Sequence, residues 1–201
     1  EAIAVHWLRA DPREHPATAV RWLVAAGQQA LLRVARREAA ALLRAALDRA
    51  DAHPEVIPTT TRDALVDDLM RVYRRLGDYP QAIAMCRRAI EQATATEDVL
   101  GLAIAERRYA LSLTGLGRRE EALPHYDAAI THARRAGSDS LVIRTQLAKG
   151  DAMQMLGLSD QAKREMADAV ASAESLGDIS LQARAHRLLL MLHVWTGPAH
   201  R

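Results

Sequence analysis

Arg74-Arg75-Leu76-Gly77-Asp78-Tyr79-Pro80-Gln81-Ala82-Ile83 decides the fold of this chain, because its pattern returns at a fixed distance. Gly77, Gly117, Gly157 and Gly197 stand forty residues apart, three times over. Leu76, Leu116 and Leu156 precede the first three, and Thr196 the fourth. Ala82, Ala122 and Ala162 follow, then Ala89, Ala129 and Ala169, then Ala93, Ala133 and Ala173. So many columns in step make an internal repeat, and a period of this length marks stacked supersecondary units.

Each unit reads as two helices about a glycine turn. Leu65, Leu69, Val72, Tyr73 and Leu76 recur at helical spacing and form one apolar face. After Gly77, Asp78 is placed to cap the next helix, Pro80 fits its first turn, and Gln81 completes a capping box. Ala82, Ile83, Cys86, Ala89, Ile90 and Ala93 then form a second apolar face, whose small residues let two helices approach closely. Asp98, Ser138 and Asp178 fall where the following helix must begin, just after the helix-ending Gly137 and Gly177. The expected fold is all-α: a right-handed α-solenoid of stacked antiparallel helix hairpins, with about ten helices and no strand pairing.

Composition agrees. Of 201 residues, 40 are Ala and 26 Leu, the best helix formers, while Phe is absent and aromatics make up 3%. The apolar half and the 26% charged residues exclude a disordered chain. One cysteine, Cys86, excludes a disulfide framework and a cysteine-based zinc site; in the second apolar face it reads as core. Trp7 and Trp22 also lie on apolar helical faces and read as core. No run approaches eighteen apolar residues, so no membrane span is expected. Arg outnumbers Lys 25 to 2, yet 25 acids are interspersed with 27 bases and the net charge is +2. That is a salt-bridged helix surface, not the one-sided basic stripe of a nucleic-acid binder. Glu1-Ala2-Ile3-Ala4-Val5-His6 has neither a basic leader nor an initiator Met, so an excerpt of a longer, cytoplasmic polypeptide is expected.

The segment from Tyr73 through Gly77, Tyr79, Ala82 and Ala89 resembles the tetratricopeptide repeat, as do Leu116-Gly117 through Ala122, Tyr126 and Ala129. Leu156-Gly157 through Ala162, Met166 and Ala169 is a weaker copy, and Cys86 and Met166 depart from its aromatic column. The resemblance implies three such repeats plus the first helix of a fourth over residues 59–201, after divergent helical repeats over 1–58. In that first part, Ala35-Arg36-Arg37-Glu38-Ala39 is similar to the turn into a second helix and Ala46-Leu47 to Ala89-Ile90, at a spacing of 43. Pro54 and Pro58 lengthen the break after it. The forty-residue period resembles a variant in bacterial signalling proteins. His6-Trp7-Leu8-Arg9-Ala10 with Ala19 through Gly27 resembles the opening of the repeat region in signal-transduction ATPases of the maltose-activator kind. That likeness implies a nucleotide-binding domain upstream of this segment.

No motif carries catalysis. Gly115-Leu116-Gly117 lacks the Lys-Ser/Thr of a phosphate loop and a strand before it. His125 and His132, like His186 and His193, are seven apart, so a metal would need ligands two helical turns distant. Asp67/Asp68 and Glu120/Glu121 are adjacent and diverge around the helix. No catalytic residue, cofactor or metal is expected. What remains is the surface that tetratricopeptide arrays present on the first helix of each hairpin, where they hold an extended peptide or a helix. Counted from the repeat glycine, that face falls at Asp67, Arg71 and Arg74, then at Arg107, Arg108, Leu111 and Thr114. It continues at Arg144, Leu147, Asp151 and Gln154, and ends at Arg184 and Arg187. The arginines suit an acidic peptide, a carboxylate or a phosphate, because guanidinium binds these through a two-pronged fork. Asp67 and Arg71 do not reproduce the Lys/Asn clamp of chaperone-type repeats for a C-terminal carboxylate.

The expected function is thus a non-enzymatic protein- or peptide-binding scaffold, the sensor or docking region of a larger bacterial signalling or transcriptional regulator. A receptor for a small pheromone-like peptide and a pure assembly adaptor are the alternatives. No direct nucleic-acid or membrane contact is expected. Gly197 opens a further turn, which leaves Leu189, Leu190, Leu192 and Trp195 without the second helix of their hairpin. Self-association through this C-terminal edge is therefore an expectation too.

Overall fold

The computed structural model describes residues 15–196, which form nine helices and, among the described residues, no strand. They are α1 (Pro16–Leu32), α2 (Arg36–Ala52), α3 (Thr59–Leu76), α4 (Tyr79–Ala95), α5 (Val99–Gly115), α6 (Arg119–Arg135), α7 (Asp139–Met155), α8 (Ser159–Leu176) and α9 (Ile179–Thr196). Trp7 and the turn at Gly197 lie outside the described residues, as do the side chains of Leu192 and Trp195. The chain forms two compact units, Glu1–Ala89 and Ile90–Arg201. They part inside α4, and the break that Pro54 and Pro58 lengthen lies within the first unit. Pro58 is the N-cap of α3, and α2 packs against α3 across it.

In the first unit α1 and α2 make a hairpin buried on Leu23, Ala30, Leu43, Ala46 and Leu47. Trp22 corrects the sequence reading, since it is 39% exposed. It sits on the flank of the stripe formed by Ala19, Leu23 and Ala30, where α2 does not cover it. The alternation predicted for the second helix of the next hairpin is realised: Ala82, Cys86 and Ala93 are buried, and Ala89 and Ile90 are half-buried.

In the second unit α5 and α6 form one hairpin and α7 and α8 the next. First helices also lie side by side, α5 against α7 and α7 against α9. Ala122, Ala129, Ala133, Ala162, Ala169 and Ala173 are all sealed from solvent, which is why the repeat holds alanine in these columns. Gly150 marks the closest approach: a Cβ there would stand 2.7 Å from Met166 Cγ on α8.

The glycine columns have a conformational cause. Gly77 ends α3 at φ 75°, donating to Arg74 O while Asp78 donates to Tyr73 O, and the same pair of bonds recurs at Gly117 and Gly157. Left-handed φ is free for glycine and costly for other residues. Two turns keep this geometry without the glycine. Val34, at φ 62°, is in register with Gly77 at the spacing of 43, and Glu97, at φ 54°, with Gly137 and Gly177. Each repeats the two bonds: Val34 N to Leu31 O and Ala35 N to Ala30 O, then Glu97 N to Thr94 O and Asp98 N to Ala93 O. A β-branched residue in this region costs about 1–2 kcal/mol, partly offset by the unfolded-state freedom that glycine adds. Val34→Gly is therefore expected to stabilise the protein by about 1 kcal/mol, since Val34 buries little, and Glu97→Gly by a few tenths. Urea midpoints at unchanged slope check this; a destabilised Val34→Gly would contradict it.

The caps follow the sequence in part. Asp98 Oδ1 accepts from Gly101 N at 2.9 Å, Asp178 Oδ1 from Leu181 N at 3.0 Å, and Asp78 Oδ1 from Gln81 N at 3.3 Å. Ser138 occupies the N-cap of α7, but its side chain makes no capping bond.

Candidate functional site

The first-helix residues named from sequence separate into exposed, half-buried and core positions. In the first unit, Arg71 is engaged with Asp67 and Asp68 of its own helix, and Arg74 is exposed. Exposed pairs of this kind contribute little. Arg71 is thus already neutralised in place.

In the second unit the face runs over α5, α7 and α9, which lie side by side. Arg144 on α7 and Arg184 and Arg187 on α9 are exposed, and among the described residues none of the three has an ion-pair partner. Arg107, Arg108 and Leu111 on α5 are half-buried. Burial holds the Arg108 guanidinium below its ordinary pKa. Thr114 lies beside the fully buried Tyr126, with 3.1 Å between the two hydroxyls, so it joins α5 to α6. Asp151 is half-buried, and burial raises its carboxyl above the usual range against the opposing pull of Arg119. Gln154 is half-buried near the end of α7.

Leu147 is a correction. It is 0% exposed and belongs to the core with Ile143, Met166, Leu181 and Ala185. The reason lies in neighbouring helices: α8 and α9 both pack on α7, and Met166, Leu181 and Ala185 join Leu147 in one core. Leu147→Ala is accordingly expected to cost about 2–5 kcal/mol, the price of a core cavity, where a surface position would change stability by about 0.5 at most. Chemical denaturation distinguishes the two.

Two polar clusters were not singled out from sequence. Lys149, itself largely buried, places its ammonium 2.7 Å from Asp127 on α6 and 3.4 Å from Glu165 on α8. Burial opposes that charge, but the two carboxylates outweigh it and its pKa lies above the ordinary lysine value. Glu106 on α5 lies 2.6 Å from His125 Nδ1 on α6, and Tyr109 packs edge-on against that imidazole. Both tie helices together within the unit. The sparseness of Lys is the one signal that could have drawn attention to Lys149.

At the C-terminal edge Leu190, Met191 and Val194 are exposed, whereas Leu188 and Leu189 pack partly against the core. Leu189 therefore does not belong to the free edge. Among the described residues no three His, Cys, Asp or Glu side chains converge as metal ligands do, and no helix is long and apolar enough to cross a membrane.

No family model and no curated protein matches the chain by sequence. Solved structures do match by shape. The apo form of RapI superposes with a TM-score of 0.75 at 14% identity, over 87% of this chain and 63% of RapI. A putative kinesin light chain from Podosopora anserina with nearly identical TPR-like repeats gives 0.69 at 16%, over 90% of this chain and 87% of that one. The Rap conjugation gene regulator of plasmid pLS20, solved in complex with the Phr peptide, gives 0.65 at 13%, over 87% and 52%. At these identities the likeness establishes the fold, which is of the tetratricopeptide type. The chain spans less than two thirds of the Rap chains it matches.

Proposed function

We propose that the second unit is a peptide-binding module, and that an acidic, extended segment lies along α5, α7 and α9. The observation that carries this reading is the set Arg144, Arg184 and Arg187, exposed on neighbouring helices with their charges unspent on the described residues. Arginine left unpaired in solvent is poised for carboxylates, which it grips through two parallel bonds. Arg107 and Leu111 add a half-buried floor, where water is fewer and each contact counts for more. The module would be non-enzymatic and intracellular, and would belong to a larger bacterial regulator, of which the maltose-activator type is the one its opening segment resembles.

A receptor for a small signalling peptide is the second reading. It is favoured by the Rap regulator, whose fold of this type was solved holding a peptide. The two readings share the arginine face and differ in the occupant: a free peptide, or a segment of a protein. A pure assembly adaptor would use the same face for a folded partner.

Alanine substitution of the arginines one at a time tests the site. Each charge-assisted contact is worth about 1.5–3 kcal/mol, so Arg144→Ala or Arg184→Ala should weaken an acidic ten-residue peptide about tenfold or more by calorimetry. Arg107→Ala is expected to do the same. Arg108→Ala, at the neighbouring half-buried position of α5, is expected to do so as well. Binding untouched by all four would move the interface elsewhere.

A further inference from the structure

The solvent face of the first helices in the second unit is zoned along its length. Arg144, Asp151 and Met155 lie on one side of α7, because residues seven and eleven apart return to the same face of a helix. Arg184 and Met191 lie on the matching side of α9. The forty-residue register then arranges these positions in rows across the helices. Arg144 and Arg184 share a row near the helix starts, and Leu111, Asp151 and Met191 share a second row seven residues on. At 1.5 Å per residue, the two rows are about 10 Å apart.

The first row is charged and the second is apolar. Arg144 and Arg184 are exposed. Met191 is exposed, Leu111 is half-buried, and the exposed Met155, one turn beyond Asp151, extends the apolar row. Four of the six methionines, Met70, Met85, Met153 and Met166, are buried, and the two exposed ones both belong to this face. Methionine is the apolar side chain that adapts best to the shape of a partner. Asp151 is set into the same row, and burial raises its carboxyl above the usual range. Arg119 of α6, whose Nε donates to Met155 Sδ at 3.2 Å, pulls the other way. These opposite charges leave the second row close to neutral. Acidic side chains therefore gain most on the first row, and apolar ones on the second.

An extended chain fits this zoning in one way. Its successive side chains point to opposite sides, each reaching about half the distance between stacked sheets, which is roughly 10 Å. Neighbours along the chain thus span the gap between the two rows. Helices packed side by side lie about 8–10 Å apart, so crossing α5, α7 and α9 takes about 20 Å, or about six extended residues.

We propose that the segment held on this face alternates acidic with large apolar residues, its acids on the row of Arg144 and Arg184 and its apolar side chains on the row of Leu111, Met155 and Met191. The proposal rests on the acidic-peptide reading above and adds to it a period of two residues. Charge complementarity selects the acids, and the exposed methionines select what stands between them.

Calorimetry on the 201-residue chain with three capped hexapeptides tests the proposal. One alternates Glu and Leu, one has the same composition as a block of three Glu followed by three Leu, and the third is hexaglutamate. The alternating peptide is expected to bind below about 1 mM and about tenfold or more tighter than the blocked one, which cannot fill both rows at once. Met155→Gln and Met191→Gln, both exposed changes, should together weaken the alternating peptide about tenfold and leave hexaglutamate unchanged, whereas Arg144→Ala should weaken both. Equal binding of the alternating and blocked peptides overturns the proposal, and so does alternating-peptide binding that the double methionine variant leaves unchanged. If Arg144→Ala still weakens hexaglutamate in either case, the acidic-peptide reading stands without the two-residue period. Hexaglutamate binding that is independent of Arg144, or no binding of any of the three peptides, removes both.

Discussion

Truncating Tyr126 to alanine should destabilise the second unit by about 3–5 kcal/mol, the cost of removing a large ring from a packed interior. Tyr126 is the largest fully buried side chain of the described residues. It holds the column that Cys86 and Met166 fill in the neighbouring repeats, and these too are buried. Its ring closes α6 onto α5, and its hydroxyl lies 3.1 Å from Thr114 Oγ1. Alanine would leave both a cavity and a half-buried threonine hydroxyl without that partner. Tyr126→Phe keeps the ring and should cost only about 1 kcal/mol, the net worth of one hydrogen bond. Because marginal stability is about 5–15 kcal/mol for a whole domain, the alanine variant should be partly unfolded near physiological temperature. Guanidinium denaturation followed by far-ultraviolet circular dichroism reads both. A Tyr126→Ala loss below about 1 kcal/mol would mean that the hairpin packs without the ring.

Reversing Arg144, Arg184 and Arg187 together to glutamate should abolish binding of an acidic peptide by more than about a hundredfold, with the fold preserved. Even if only two of the three engage, at about 1.5–3 kcal/mol each and 1.4 kcal/mol per decade, the loss exceeds two decades before repulsion is added. All three side chains are exposed, so the stability change should stay near 0.5 kcal/mol per site. Wild-type binding should also weaken with added salt, because exposed charges are screened over about 10 Å at 0.1 M ionic strength. Equilibrium titration at two salt concentrations, with the melting temperature of the triple variant alongside, checks all three statements.

The fold was legible because it repeats. One hairpin would have left helix and connection ambiguous, but Gly77, Gly117 and Gly157 fix the turns, and the alanine columns fix the packed faces. Side-chain exposure was less legible, for a reason visible at Leu147. Its column holds Arg107 and Arg187 in the flanking repeats, and helical periodicity places all three on one face. Leu147 shares its core with Met166 of α8 and with Leu181 and Ala185 of α9, residues nineteen to thirty-eight positions away that no local pattern encodes. Thr114 and Trp22 fail similarly: what covers them, or does not, is another helix. Val34 and Glu97 hid two turns because the glycine that advertises the left-handed turn elsewhere is missing there.

The central claim is that the first-helix face of the second unit selects acidic peptide. Selection of a random ten-residue peptide library on the 201-residue chain, counter-selected against the Arg144/Arg184/Arg187→Glu variant, measures that preference directly. The enriched peptides should carry an excess of Asp and Glu, and the variant should retain none of them. Enrichment of neutral or basic peptides, bound equally by the variant, would contradict it.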